Sequence, residues 1–357
     1  MDGPCHRARY LMKGLFFLVG ALAAATAAAL LTRRYRDYAL RRQLLDVPNA
    51  RSSHAVPTPR GGGVAIVLVV CATLVCVGAI EETWRSIAAL IILAALGIAV
   101  VGYLDDRRGV VASKRFAVHV LGVAILLFAT RNLGPLDLPG VPPVPAAQWL
   151  LTLVAILWLL NLFNFMDGID GIAAMEAAFV SLALALCTQC GPGASDALLG
   201  TCLAIAAASI GFLFYNWPPA QIFMGDVGSG FLGFMLGGLA VIAHRESGLD
   251  PWVIAILFGI FVTDATVTLL RRVAHGKKWH EAHRSHAYQR LSRRSGSHGS
   301  VTLGALAINV IWLLPLSLLA TQRPGYSGVI AFVAYAPLVA IAVWAGAGRE
   351  ETPLVRS

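Results

Sequence analysis

Residues 148–171 read QWLLTLVAILWLLNLFNFMDGIDG, a run that contains both the repeating unit of the fold and its interruption. Through Phe163 the stretch is apolar except at Gln148, Thr152 and Asn161. As a helix it covers about 24 Å, most of a hydrocarbon core. It then meets Asp167-Gly168 and Asp170-Gly171, and paired Asp-Gly steps favour turns over continued helix. On an unbroken helix, positions three apart drift by about 60° per step, so Asn161 and Asp170 would face opposite ways. A helix that ends here lets Asn161, Asn164, Asp167 and Asp170 converge on one ligand. Four polar groups at membrane depth are too costly to be packing residues.

The same unit recurs along the chain. Of 357 residues, 57% are hydrophobic and 13% charged, with a mean hydropathy of +0.72, which excludes a water-soluble domain. Eleven apolar spans are predicted, at 11–31, 64–80, 86–103, 116–132, 148–163, 172–190, 198–215, 230–243, 252–270, 301–320 and 328–345. The expected fold is an all-α polytopic bundle of about eleven transmembrane helices, forming one integral membrane domain over 1–357. A cleavable signal peptide is the competing reading of 1–31, but the basic cluster that follows (Arg33, Arg34, Arg36, Arg41, Arg42) favours a retained anchor. The six cysteines, Cys5, Cys71, Cys76, Cys187, Cys190 and Cys202, fall mostly within apolar spans and imply no disulfide framework.

Alternating the connections from side to side places 21 of the 28 Lys and Arg on one face. The positive-inside rule makes that face cytoplasmic, with the N-terminus outside and the C-terminus inside. The formal charge of +9 is then a topology signal, and with no aromatic stacking platform beside it no nucleic-acid partner is expected.

The cytoplasmic connections carry polar residues beyond what topology requires, in five loops at approximately 33–63, 103–115, 164–171, 216–230 and 271–300. The first holds Asp46-Val-Pro-Asn-Ala-Arg-Ser-Ser-His54 and Pro57-Thr-Pro-Arg60-Gly61-Gly62-Gly63, where Arg60 offers a forked donor to phosphate and the glycines bare backbone amides. The second holds Asp105 and Asp106, with Lys114 and Arg115 ahead of the next span. Adjacent carboxylates at a membrane edge need a cation or basic partner, and Arg107 and Arg108 are the local alternative. The third is the Asp-Gly break. The fourth, Asn216 to Gly230, has Asp226 among small residues and no Lys or Arg. A lone acid of this kind suits Mg2+, which takes one or two protein carboxylates beside substrate phosphates. The fifth carries His280, His283, Arg284, His286 and Gln289, a match for a multiply charged phosphate ligand. Asp264 is a separate intramembrane acid, either functional or hydrogen-bonded within the bundle.

Together PNARSSH, PTPRGGG, LDD, NLFNFMDGIDG, FMGDVGS and HRSHAYQ resemble the polyprenyl-phosphate N-acetylhexosamine-1-phosphate transferases (glycosyltransferase family 4), over roughly residues 46–290, and more the WecA/WbpL-like branch than the MraY branch. The consecutive histidines of the MraY branch are absent, as is its Met in place of Arg60. The resemblance implies attack of undecaprenyl phosphate on the β-phosphate of a UDP-N-acetylhexosamine, such as GlcNAc or a 6-deoxy relative like FucNAc, with release of UMP. It further implies Mg2+, or Mn2+, at Asp226 with Asn164. Asp105 or Asp106 would orient or deprotonate the lipid phosphate, with Asp226 the third catalytic acid. Asp167 and Asp170 would meet the uridine end, and Arg60, Lys114, Asn161, His283 and His286 the rest of the substrate. The implied setting is the bacterial inner membrane, in O-antigen or other envelope-glycan synthesis, with membrane lipids as neighbours and a homodimer allowed. A multi-pass lipid or ion transporter is the alternative, but its polar groups would lie at mid-membrane in repeated halves, a pattern not seen here.

Overall fold

The structure is a computed structural model that describes residues 4–48, 56–137, 140, 144–190, 195–277 and 283–349. The chain folds as an all-α membrane bundle: α1 (Pro4–Arg41), α2 (Val64–Ile80), α3 (Glu82–Arg108), α4 (Ala112–Ala129), α5 (Pro145–Met166), α6 (Ile172–Gln189), α7 (Asp196–Asn216), α8 (Asp226–Ser247), α9 (Pro251–Leu257), α10 (Gly259–Ala274), α11 (Ala287–Ser295), α12 (His298–Ile308), α13 (Leu314–Gln322) and α14 (Ser327–Ala345). Among the described residues, nine helical segments are long and apolar enough to cross a membrane, and up to ten if α9 and α10 count as one span. At 17 residues, α2 is shorter than these. The predicted ninth span is not straight, because α9 and α10 meet at an 80° bend around Phe258. The tenth contains a π-turn over Asn309–Leu313 between α12 and α13. Pro315 has no N–H to give to a carbonyl one α-turn back, and a widened turn ahead of a proline is one way a helix absorbs that loss.

Packing is graded from centre to edge. The bundle is centred on α8, whose membrane window is 94% buried, whereas that of α1 is 11% buried. α8 packs on α2, α3, α5 and α6, and α1 leaves Leu11, Phe16, Val19 and Leu22 on the surface. Lipid is as apolar as leucine, so the outward face costs nothing and cohesion comes from close approach at small residues. A Cβ on Gly233 of α8 would come within 2.7 Å of the Leu159 carbonyl oxygen in α5. The small side chain thus sets how near those helices lie.

The Asp-Gly break behaves as expected. α5 ends at Met166, and Gly171 takes a left-handed conformation (φ 79°) before α6 starts. Two short strands, β1 (Leu45–Asp46) and β2 (Thr58–Pro59), pair antiparallel. The chain then runs beside Phe223, with Gly61 and Gly62 both donating to the Phe223 carbonyl. Residues 49–55 of the first loop and 278–282 of the fifth lie outside the described residues.

Candidate active site

The site is built around the N-terminus of α8. Two glycines let the neighbouring helices reach it: a Cβ on Gly102 of α3 would stand 2.5 Å from the Asp226 carbonyl oxygen, and one on Gly63 would collide with Gly228. Asp106, one helical turn beyond Gly102, therefore lies against the first turn of α8. It accepts from the Asp226 amide at 2.9 Å and the Val227 amide at 3.2 Å. These are the unpaired donors at the positive end of the helix dipole, which leaves the Asp226 side chain free to point elsewhere.

Two guanidiniums meet it there. Arg60 places Nη2 2.6 Å from Asp226 Oδ1 and Nε 2.7 Å from Asp106 Oδ1. Arg115 places Nη1 2.9 Å from Asp226 Oδ2 and also pairs with Asp105, whose other oxygen accepts from the Val110 amide at 2.6 Å. The Asp106 side chain is 4% exposed and that of Asp226 13%, so the carboxylate ends of these pairs are sheltered from water, while the guanidiniums of Arg60 and Arg115, 36% and 31% exposed, stay open to it. Asn164, at the end of α5, is also beside Asp226.

A cavity of about 230 Å³ opens over this cluster, lined by Asp46, Arg60, Asn164, Asp167, Asp170, Asp226 and Gln289 among others. Loss of water raises the Asp167 carboxyl well above the ordinary carboxylate range. Arg60 opposes this, while Asp226, Asp106 and Asp170 push it further up. For Arg60 burial works against the charge, but Asp106, Asp226, Asp46 and Asp167 outweigh it and hold the proton more firmly than usual. The site thus holds more carboxylates than guanidiniums, all of them hard oxygen donors. Among the described residues no three His, Cys, Asp or Glu side chains form a closed metal cage. An open set of one or two acids with an amide, short of positive charge, fits Mg2+, which keeps waters and shares substrate phosphates.

The remaining sequence candidates divide between wall and support. Asp170 reaches the cavity wall but uses its carboxylate structurally, accepting from the Ala220 amide at 3.0 Å and lying 3.2 Å from His298 Nδ1. Asn161 donates back to the Leu157 carbonyl of its own helix at 2.7 Å, one turn below Asn164, and does not line the cavity. Lys114 is exposed, and the adjacent Arg115 makes the contacts to the acids. His286 is buried 3.2 Å from Asp264, and His283 stacks on it with ring centroids 4.9 Å apart. Burial, His286 and Arg272 lower His283 to about 4, against a smaller upward pull from Asp264.

Asp264 is an anchor. It accepts from the Ala287 amide at 2.8 Å, the Tyr288 amide at 2.9 Å and Thr268 Oγ1 at 3.0 Å, which pins the start of α11. Tyr288 then donates to the Phe165 carbonyl at 2.9 Å, and Gln289 is carried to the cavity edge. Arg115 and Gln289 stand in the loops read from sequence, but neither carries a site role there. The signal for Arg115 was the acid pair one short turn away, and for Gln289 there was none beyond its place in the fifth loop.

The chain that builds this geometry is similar to known proteins. The profile of Glycosyl transferase family 4 matches residues 88–244, from α3 through α8. The chain is 29% identical over 320 residues to a probable undecaprenyl-phosphate N-acetylglucosaminyl 1-phosphate transferase of Bacillus subtilis (strain 168), covering 88% of each chain. The matched region contributes Asp105, Asp106, Arg115, Asn164, Asp167 and Asp226 to the site, and over that region the chain is similar to glycosyl transferase family 4.

Proposed function

We propose that this chain transfers an N-acetylhexosamine 1-phosphate from a UDP-sugar to undecaprenyl phosphate and releases UMP, as a WecA/WbpL-like enzyme. The donor is UDP-GlcNAc or a 6-deoxy relative such as UDP-FucNAc, and the product starts an O-antigen or related envelope glycan. The observation that carries this reading is the convergence of Asp105, Asp106, Asp226, Arg60 and Arg115 beside a polar cavity at the α8 N-terminus.

In the balanced step a lipid-phosphate oxygen forms a bond to the β-phosphorus as the bond from that phosphorus to the bridging oxygen breaks. UMP leaves with the bridging oxygen. Little covalent work is asked of the protein, and positioning and charge neutralisation carry the catalysis. Arg60 and Arg115, already held among carboxylates, meet the phosphates with forked donors. Asp105 keeps the acceptor phosphate ionised and oriented, while Asp106 fixes the α8 terminus on which Asp226 stands. Asp226 and Asn164 are the residues that would hold Mg2+, whose charge would offset that of the diphosphate. Asp167, Gly168 and Gln289 form the wall available to the uridine end. Asp170 shapes that wall through its bond to Ala220.

With the bent α9–α10 pair and α2 each counted as one crossing, an eleven-span path and the excess of Lys and Arg in the connections on the site's side support a cytoplasmic site at the bacterial inner membrane. A cysteine introduced between 283 and 300 is expected to resist membrane-impermeant labelling in intact cells, and ready labelling reverses the orientation. The deciding assay is a donor panel: purified protein, undecaprenyl phosphate, Mg2+ and individual UDP-sugars. UMP with a lipid-linked sugar from one donor supports the reading, and no UMP from any donor overturns it.

A further inference from the structure

Glu176 lies on α6, five residues after the Asp-Gly break, and is fully buried. Its Oε2 accepts from Asn309 Nδ2 at 2.6 Å, at the first residue of the π-turn. Among the described residues, the other oxygen of Glu176 and the amide oxygen of Asn309 are both buried without a hydrogen-bond partner. An ionised carboxylate here would be a bare charge at membrane depth facing an orphaned carbonyl, each costing several kcal/mol. The two orphans are the unused halves of groups already joined by one bond. A single proton on Glu176 Oε1, donated to Asn309 Oδ1, satisfies both and removes the charge.

The pair also belongs to a seam. His298, Thr302 and Asn309 follow the four- and seven-residue spacing of one helix face. His298 Nδ1 lies 3.2 Å from Asp170 Oδ1, and Thr302 Oγ1 donates to the Asp170 carbonyl at 3.0 Å. The other Asp170 oxygen holds Ala220, in the loop behind the cavity. All three rungs join the 170–176 segment to the α12 rod, and of the two α6-side residues only Glu176 lies within the membrane-spanning helix itself.

We propose that Glu176 is a positioning residue: it keeps a proton at neutral pH, shares two hydrogen bonds with Asn309, and through this neutral ring registers α12 on α6 so that His298 and Thr302 hold Asp170 at the cavity wall. Glutamine can make the same two bonds, giving one N–H and accepting one, whereas alanine makes neither.

The test uses the full chain in lipid nanodiscs. Infrared spectra at neutral pH should show a protonated-carboxyl C=O stretch, above the amide I band, that is lost in Glu176→Gln. The same variant should keep Tm within about 1 °C of the parent, while Glu176→Ala should lower it by about 3 °C or more. Resting on the transfer reaction proposed above, Glu176→Ala should also raise KM for the UDP-sugar more than it lowers kcat, with Glu176→Gln restoring both. The infrared band and Tm do not depend on that reaction, so they decide the inference even if no donor is turned over. Absence of a Gln-sensitive band, a Tm loss in Glu176→Gln equal to that in Glu176→Ala, or an unchanged Tm in Glu176→Ala overturns it.

Discussion

Asp106 and Asp264 do the same local work in two regions of the molecule. Each projects from one helix and accepts from two successive amides at the start of another, Asp226 and Val227 in α8, and Ala287 and Tyr288 in α11. Their surroundings differ. Asp264 is closed in by Thr268 and His286, so its oxygens are satisfied within the bundle and do not open onto the polar cavity. Asp106 sits with Asp105, Asp167 and Asp226 against two guanidiniums, beside an open cavity. The same carboxylate cap is thus a completed joint in one place and, in the other, part of a site left short of positive charge. A saturated acid holds structure; an unsaturated cluster is available to a ligand.

The sharpest break of this comparison is a pair of substitutions. Asp106→Ala should lower transfer by about 10³-fold or more with a small change in Tm, because the lost cap is offset by relief of acid crowding. Asp264→Ala should instead destabilise the fold by about 3–5 kcal/mol, as expected when one member of a buried charged network is removed. Thermal unfolding and UMP release, measured side by side, check both. If the two variants fall together in Tm, the contrast between joint and site fails.

Smaller but more specific is the adjacent pair Arg115 and Lys114. Arg115→Ala should reduce kcat/KM by about 10²-fold, or about 2.7 kcal/mol. Lys114→Ala should stay within about twofold, since its side chain is exposed. Equal losses would show that charge near the membrane, rather than the Arg115 fork, is what matters.

Acid crowding itself is probed at Asp167. Its folded-state pKa lies above the unfolded value, so the folded chain holds this proton where the unfolded chain has released it. The associated stability is present at acid pH and declines as pH rises through the folded pKa. Asp167→Asn should therefore raise Tm slightly at neutral pH and flatten its decline with pH, while impairing transfer. A lower Tm at neutral pH would mean that the carboxylate is not crowded.

The smallest effect is at His283, whose pKa is lowered to about 4. Between about 6.5 and 4 the unfolded chain binds a proton that the folded chain refuses. Stability should fall as pH drops through that window, and His283→Gln should shallow the slope of Tm against pH.

The composition, the apolar spans and the Asp-Gly break were enough to read a membrane bundle whose acids gather at helix ends. These signals act over a few residues, through hydropathy and through turn conformations open to glycine, so they survive without knowledge of neighbours. Tertiary structure decided which polar residue of each loop faces inward. Successive helical residues point about 100° apart, so Arg115 rather than Lys114 reaches Asp226, and Asn164 rather than Asn161 reaches the cavity. The close contacts at Gly63 and Gly102 decided that Asp106 would cap α8. The packing of α10 and α12 turned His286 to Asp264 and Asp170 to Ala220 and His298, and the 80° bend at Phe258 was not read from the sequence. Helix rotation and crossing distance are properties of pairs of helices, and a single sequence specifies them only through the packing it finally adopts.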